Sequence, residues 1–359
     1  MAGKIKIGII GAGNCASGFI QGIEYYRQHP EREVVGIMHQ DIGGYDVRDI
    51  EVVCAFDVDK NKVGKTLDEA LYVKPNLVNW VKLPKSGVVV RQGPLYDGLG
   101  KYLSKIIEPA KERPAEELEK EIVGEIKRSG AEILVNYLPV GSQKATEFWA
   151  EIALKTRVAF INAIPVFIAS GLKWEKKFAQ AGIPVIGDDM KGMIGATIVH
   201  RVLAKLTQDR GAELSRTYQL NVGGNTDFRN MLERERLESK KISKTESVQS
   251  QLKRPLPADD IHIGPSDFVP FLGNTKIAFM RLEGKMWADI PYNMEIRLDV
   301  DDKANAGGII ADAVRIAKVA LEKKVGGALI GPSAYLMKHP PKQMSDSEAK
   351  KEMELFFQN

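Results

Sequence analysis

The sequence predicts an α/β protein: helices pack on a parallel sheet, and an α+β segment is inserted before the chain returns. Three observations predict this. An apolar strand over residues 4–10 breaks at once into a glycine turn, Gly11-Ala-Gly-Asn-Cys-Ala16. Three later apolar runs, at 133–135, 158–161 and 184–186, alternate with helical patterns, and each ends in polar turn formers. From about residue 200 to 303 the period changes, and alternating strands replace the βα units. The predicted division is residues 1–199 plus 304–359 for the first domain and 200–303 for an inserted catalytic and oligomerisation domain.

The glycine turn sets the chemistry. Gly11 permits the tight turn, Gly13 lets the backbone approach a pyrophosphate, and small Ala16 allows close helix–strand packing. A helix predicted over 14–26 then aims its positive N-terminus at the phosphates. This is the start of a Rossmann-type unit, and NAD is the expected cofactor. The second strand, 51–57, ends in Asp57, where an acid hydrogen-bonds the adenosine ribose and disfavours a 2′-phosphate. From Gly11 to Asp57 is 46 positions, against the usual ~20. A loop insertion over 29–49, rich in Gly, Pro and charge, accounts for the excess. A further strand is expected at 88–91 and a solvated amphipathic helix at 114–129.

Composition narrows the class. At 359 residues, 44% apolar and 27% charged, the chain is an ordinary globular protein of two packed domains. Its net charge of +4 is spread among interspersed residues, which argues against nucleic-acid binding. No apolar run approaches the ~20 residues of a membrane span. The start, Met-Ala-Gly-Lys, leads directly into the first strand, so no signal peptide is expected. Cys15 and Cys54 are too few for a disulfide framework and lack metal-ligand spacing. A cytoplasmic, reduced protein is expected, with Cys15 a small packing residue.

In the inserted segment a helix is predicted from Gly195 to about 206, a strand at 217–222, a charged helix over 230–238, and antiparallel strands at 277–282 and 292–300. A helix at 306–322 returns to the first domain. None of the five histidines sits in a diagnostic setting, whereas lysines gather. Lys240 and Lys244 lie four apart, on one helical face. Lys191 and Asp189 share a strand end, and Lys338 follows a late apolar stretch. Crowded or desolvated lysines lose pKa and become usable bases.

Five ordered motifs then carry a resemblance along nearly the whole chain: Gly-Ala-Gly-Asn-Cys-Ala-Ser (11–17), Gly-Asp-Asp-Met-Lys (187–191), Asn-Val-Gly-Gly-Asn (221–225), Ser-Lys-Lys-Ile-Ser-Lys (239–244) and Ser-Ala-Tyr-Leu-Met-Lys (333–338). Together they resemble inositol-1-phosphate synthases of the short bacterial and archaeal type. The resemblance implies conversion of D-glucose 6-phosphate to myo-inositol 1(3)-phosphate. It implies NAD-dependent oxidation at C5, enolisation, aldol cyclisation and reduction by the same NADH, in a homotetramer. Lys240, Lys244 and Lys338 match the family's active-site lysines, Lys276 is the candidate for a fourth, and Asp189 and Asp302 match its supporting acids. The implied cofactor contacts are Gly11, Ala12, Gly13, Asn14 and Cys15 of the turn, with Asp57, Asp188 and Lys191. Where longer relatives have Ser-Gly-Gln-Thr, this chain has Gly192-Met-Ile-Gly195. Substrate contacts are therefore expected from Gly192, Gly195, Asn221, Asn225 and Lys244. A monovalent or divalent cation is a further implied partner, with no ligand set readable for it. A conventional NAD-dependent sugar or hydroxy-acid dehydrogenase and a non-catalytic NAD sensor are the alternatives. Neither gives a reason to keep lysines 240, 244 and 338 together.

Overall fold

The computed structural model describes residues 3–358, with Pro265 described by its backbone alone. The first part of the chain runs β1 (Ile5–Ile10), α1 (Asn14–Gln28), β2 (Ile50–Asp57), α2 (Leu67–Ala70), β3 (Val90–Gln92) and α3 (Ala115–Ser129). It continues β4 (Ile133–Asn136), α4 (Gln143–Thr156), β5 (Ala159–Asn162), α5 (Leu172–Ala181) and β6 (Pro184–Ile186). After it come α6 (Ala196–Asp209), β7 (Glu213–Gly223), α7 (Thr226–Asn230), α8 (Glu238–Gln249), β8 (Ile261–Phe268), β9 (Thr275–Lys285) and β10 (Pro291–Asp301). The chain returns through α9 (Ala304–Glu322), β11 (Gly327–Ala328), α10 (Ile330–Leu336) and α11 (Asp346–Gln358).

The seven-stranded sheet has the order β11-β6-β5-β4-β1-β2-β3, and every neighbouring pair is parallel. Short strands buried on both faces are what near-continuous Ile/Val/Phe runs produce. One face is covered by α1 and α9, which contribute Phe19, Ile23, Ile310, Val314 and Ala317 to a shared core. The other is covered by α3, α4 and α5, through Ile122, Trp149 and Phe178. β1 lies between β2 and β4. The connections leave in opposite directions there, so a crevice opens beyond the carboxyl end of β1.

The second sheet, β10-β9-β7-β8, is mixed, and its β9 and β10 pair antiparallel as the alternating segments at 277–282 and 292–300 predict. β7 pairs antiparallel with β9 but parallel with β8, a strand the sequence did not disclose. Gly264 and Pro265 interrupt its alternation, and the β7–β8 register shifts between Gln219 and Asn221. The helix expected over 230–238 is also absent. Asn225 instead caps α7, accepting from the Asp227 amide, and a 3-10 turn, Arg234–Arg236, intervenes before α8. Lys240 thus lies in the first turn of α8 and Lys244 one turn further on. No helix among the described residues is long and apolar enough to cross a membrane.

The buried anchor of the 29–49 insertion is an ion pair on α9. Arg315, fully buried, donates to the carbonyls of His39 (2.8 Å), Gln40 (2.9 Å) and Tyr45 (3.2 Å) and pairs with Asp312. Asp312 in turn accepts from the Met38 amide at 2.9 Å. Removing one partner of a buried ion pair strands the other. Arg315→Met is expected to lower unfolding free energy by about 3–5 kcal/mol in urea denaturation. A loss under about 1 kcal/mol would show that the insertion is held otherwise.

Candidate active site

Two clefts meet at the crevice above β1. The first, about 860 Å³, is lined by Gly11, Gly13, Asn14, Asp57, Asn76 and Leu138 among others. Gly11 has φ +88°, and a Cβ there would lie 3.2 Å from the Tyr137 carbonyl. Only glycine suits that turn. A Cβ on Gly13 would meet no protein atom within 4 Å. The space in front of the turn is therefore open, and α1 begins with no side-chain cap on its amides. These features fit a pyrophosphate. Asp57, at the end of β2, accepts from the amides of Val58 (2.7 Å) and Asp59 (2.9 Å). Lys62 braces the turn by donating to the Ala12 carbonyl at 3.0 Å, so Ala12 offers its backbone inward and does not line the cleft.

The second cleft, about 980 Å³, shares Cys15, Tyr137, Leu138 and Asp227 with the first. Lys240, Lys244, Lys276, Lys303 and Lys338 line it together with Asp189, Asp227 and Asp302. Asp189 organises one side. It accepts from Lys240 at 2.7 Å, from Lys338 at 3.1 Å and from the Ser243 hydroxyl. Its backbone sits at φ +62°, a conformation tolerated by Asp better than by most residues. The loop after β6 is zipped to the loop after α10: the Lys338 amide donates to the Asp189 carbonyl at 2.7 Å. Opposite, Asp302 lies 3.5 Å from Lys276 and accepts from Lys303 at 3.0 Å and from Asn225 at 3.2 Å. The Lys244 ammonium has no hydrogen-bond partner among the described residues.

Burial and crowding set the protonation of this ring. Burial pushes Lys338 down to about 7, the Asp189 charge resisting and Lys240 and Lys276 assisting. Lys244 falls well below the usual lysine range through burial and through Lys240, Lys276 and Lys338. Burial alone would raise Asp189, yet Lys240 and Lys338 hold its carboxyl well below the usual range. Asp302 is held down in the same way against its burial, by Lys303 and Lys276. Lys303, though buried, is raised well above its ordinary value by Asp227 and Asp302. Burial, reinforced by Asp227, pushes the Cys15 thiol up to about 12, so it is no thiolate nucleophile.

Several expected contacts are turned elsewhere. Asp188 does not face either cleft: its fully buried carboxylate accepts from Asn162 (2.7 Å) and from the Ala169 and Ser170 amides. The Lys191 ammonium points away from the cofactor turn, toward the Ala334 carbonyl (2.7 Å) and Asp346 (3.5 Å). Asn14 ties the turn to the Leu77 amide and to Asn274. Asn221 lies behind Gln219, from which it accepts at 3.0 Å, and Asn225 acts through Asp302 without lining the cavity. Gly192 and Gly195 do line it; a Cβ on Gly192 would strike Asn305 at 2.6 Å. Sequence reasoning missed Lys303, Asp227 and Gln219. The adjacent Asp301-Asp302-Lys303 run before a long helix was the only available signal.

Comparison with known proteins decides the family. Residues 195–303 match the family model described as myo-inositol-1-phosphate synthase. The chain is 50% identical to the inositol-3-phosphate synthase of Mycolicibacterium smegmatis, over 99% of each chain. The chain belongs to the inositol-phosphate synthase family. The corresponding enzyme of Corynebacterium glutamicum is 48% identical over 98% of both chains. A solved myo-inositol-1-phosphate synthase-related protein from Thermotoga maritima superimposes with a TM-score of 0.84 at 26% identity, over 99% of this chain and 98% of that one. Both sheets described above are thus those of inositol-phosphate synthases.

The buried lysines make stability depend on pH with a definite sign. Lys338 and Lys244 have folded pKa values below the unfolded value of 10.5, so between about pH 7 and 10 the unfolded chain binds more protons. Stability of the ligand-free protein is expected to rise with pH across that window. Lys338→Met should flatten the rise in thermal melts, and an unchanged slope would contradict the burial assigned to Lys338.

Proposed function

We propose that the protein converts D-glucose 6-phosphate to myo-inositol 1(3)-phosphate, with NAD reduced and reoxidised within each turnover. The observation that carries this reading is the junction of an open dinucleotide cleft with a cavity where five lysine side chains crowd around three carboxylates. Bound in the first cleft, NAD supplies a hydride acceptor and later a hydride donor. Gly11, Gly13 and the amides opening α1 would hold its pyrophosphate, and Asp57 its adenosine ribose.

In the second cleft the cationic excess suits a phosphate dianion. Lys244, unpartnered, and the uncapped N-terminus of α6 at Gly195 are assigned to it. Lys240 and Lys338, gathered on Asp189, are placed at the C5 oxygen. With its pKa near 7, Lys338 can accept the hydroxyl proton as the C5 hydride leaves and return it at the end. The C5 ketone acidifies C6; a second proton passes from there to the substrate's own phosphate dianion, and the carbanion attacks the C1 aldehyde. The new C1 hydroxyl takes up that proton. Lys240 and Lys276 stabilise the enolate oxygen, with Asp302 orienting Lys276. Protons and hydride all return, so the net change is an isomerisation. No group of three His, Cys, Asp or Glu among the described residues is placed to hold a metal. The open face of the second sheet, with Leu220, Phe279 and the exposed hairpin residue Trp287, is assigned to contacts within a homotetramer.

Purified protein given glucose 6-phosphate and trace NAD is expected to form inositol phosphate without net NADH. Stoichiometric NADH without inositol phosphate would instead indicate a conventional dehydrogenase. Lys240→Ala should lower kcat by about 10²–10⁴-fold while NAD binding, followed by calorimetry, is retained; near-normal turnover would remove Lys240 from this role.

A further inference from the structure

The helix that carries Lys240 and Lys244 buries one apolar side chain of its own, Val248, with the capping Leu237 buried just before its first turn. Its buried residues are Ser243, Lys244, Ser247 and Val248. Positions 240, 243, 244 and 247 follow the helical period, but the stripe is lysine and serine where a packed helix carries Leu or Ile. Burial is non-directional, and one valine does not set the rotation or height of α8. Polar bonds must do so. In its first half Lys240 and Ser243 are gripped by Asp189.

In its second half the grip is Arg201. This fully buried residue on α6 donates to the Ser247 carbonyl (2.6 Å), the Ser247 hydroxyl (3.2 Å) and the Ser250 hydroxyl (3.2 Å). Its remaining donors reach the Met344 carbonyl at 3.1 Å and Asp346 at 2.8 Å. Asp346 opens the C-terminal helix and also lies 3.5 Å from Lys191, two residues after Asp189. One carboxylate therefore ties the Asp189 loop, α6 and α11 together, and Arg201 passes that tie to α8. Neither Arg201 nor Asp346 lines the lysine cavity.

We propose that Arg201 and Asp346 are positioning residues whose buried pair sets the placement of α8, holding Lys240 and Lys244 against Asp189 and Lys338. The kinetic consequence rests on the cyclisation reading above; the structural consequence does not. Lys338 is faced by Asp189 and Lys191 from the loop after β6, by Lys240 and Lys244 from α8, and by Lys276 from β9. Loosening α8 withdraws the Lys240 charge and leaves Asp189, so Lys338 gains proton affinity.

The decisive variant is Arg201→Lys, which keeps a cation beside Asp346 but loses the fork that spans to Ser247 and Ser250. It is expected to fold and to bind NAD with unchanged stoichiometry. Amide hydrogen exchange over 238–249 should quicken by about tenfold or more, with exchange in α1 unchanged. kcat on glucose 6-phosphate should fall about 10- to 100-fold, with KM altered less. The acid limb of kcat/KM should move up by about half a pH unit or more. Asp346→Asn should behave alike, and Asp346→Glu should recover part of the loss. Unchanged exchange in α8 would overturn the proposal, as would faster exchange with kcat within about twofold of the starting protein. If the unaltered protein fails to turn over glucose 6-phosphate, the functional reading falls, and the exchange experiment still decides whether Arg201 sets α8.

Discussion

Crowding of buried ammonium groups is the constraint on which the rest of the structure depends. Six lysines line one cavity with three carboxylates, Lys191 alone turning its ammonium to Asp346 behind it, and desolvated like charges repel strongly unless each has a fixed partner. Asp189 is the answer on one side and Asp302 on the other. Each serves two lysines, and each is itself held: Asp189 by a left-handed backbone and the zipped loops after β6 and α10, Asp302 by the Asn225 that caps α7. The lysine left without a protein partner, Lys244, is pushed well below its usual range by burial and by the neighbouring Lys240, Lys276 and Lys338.

That electrostatic requirement explains the architecture around the cavity. A helix bearing two of the lysines cannot be docked by an apolar stripe, because the stripe is where the lysines must be. Its position is set by hydrogen bonds at both ends, which are directional where burial is not. The parallel sheet contributes the rigid part. It fixes the glycine turn, the Asp57 strand end and the loop carrying Asp189 along one edge, since all follow carboxyl ends of strands in the same parallel sheet. The second sheet brings Lys276 and Asp302 from its β9 and β10 edge, and Lys303, the residue before α9, enters the second cleft beside the shared Cys15 and Asp227.

Much of the fold was legible in the chain. Strong periodic segments such as β1, β4, β6, α3 and α9 were readable within a few residues, because buried strands and amphipathic helices write their period into the sequence. β8 was hidden, since Gly264 and Pro265 break its alternation and its pairing to β7 is long-range. The helix expected over 230–238 failed because the Asn225 cap starts a short helix earlier and a 3-10 turn follows it.

Sequence by itself determined the parallel βα core through β6, the glycine turn with its open Gly13, and the motifs that place the chain in its family. Those are local properties, set by backbone sterics and side-chain period. Only the tertiary structure decided which charged groups enter the cavity. Lys191 and Asp188 lie within a few residues of Asp189, yet one ammonium turns to Asp346 and one carboxylate to Asn162. Lys303, unremarked in the chain, is turned inward onto Asp227 and Asp302. Where a lysine points depends on which distant carboxylate or carbonyl reaches it first, and that is settled only when the two sheets and the C-terminal helix pack together.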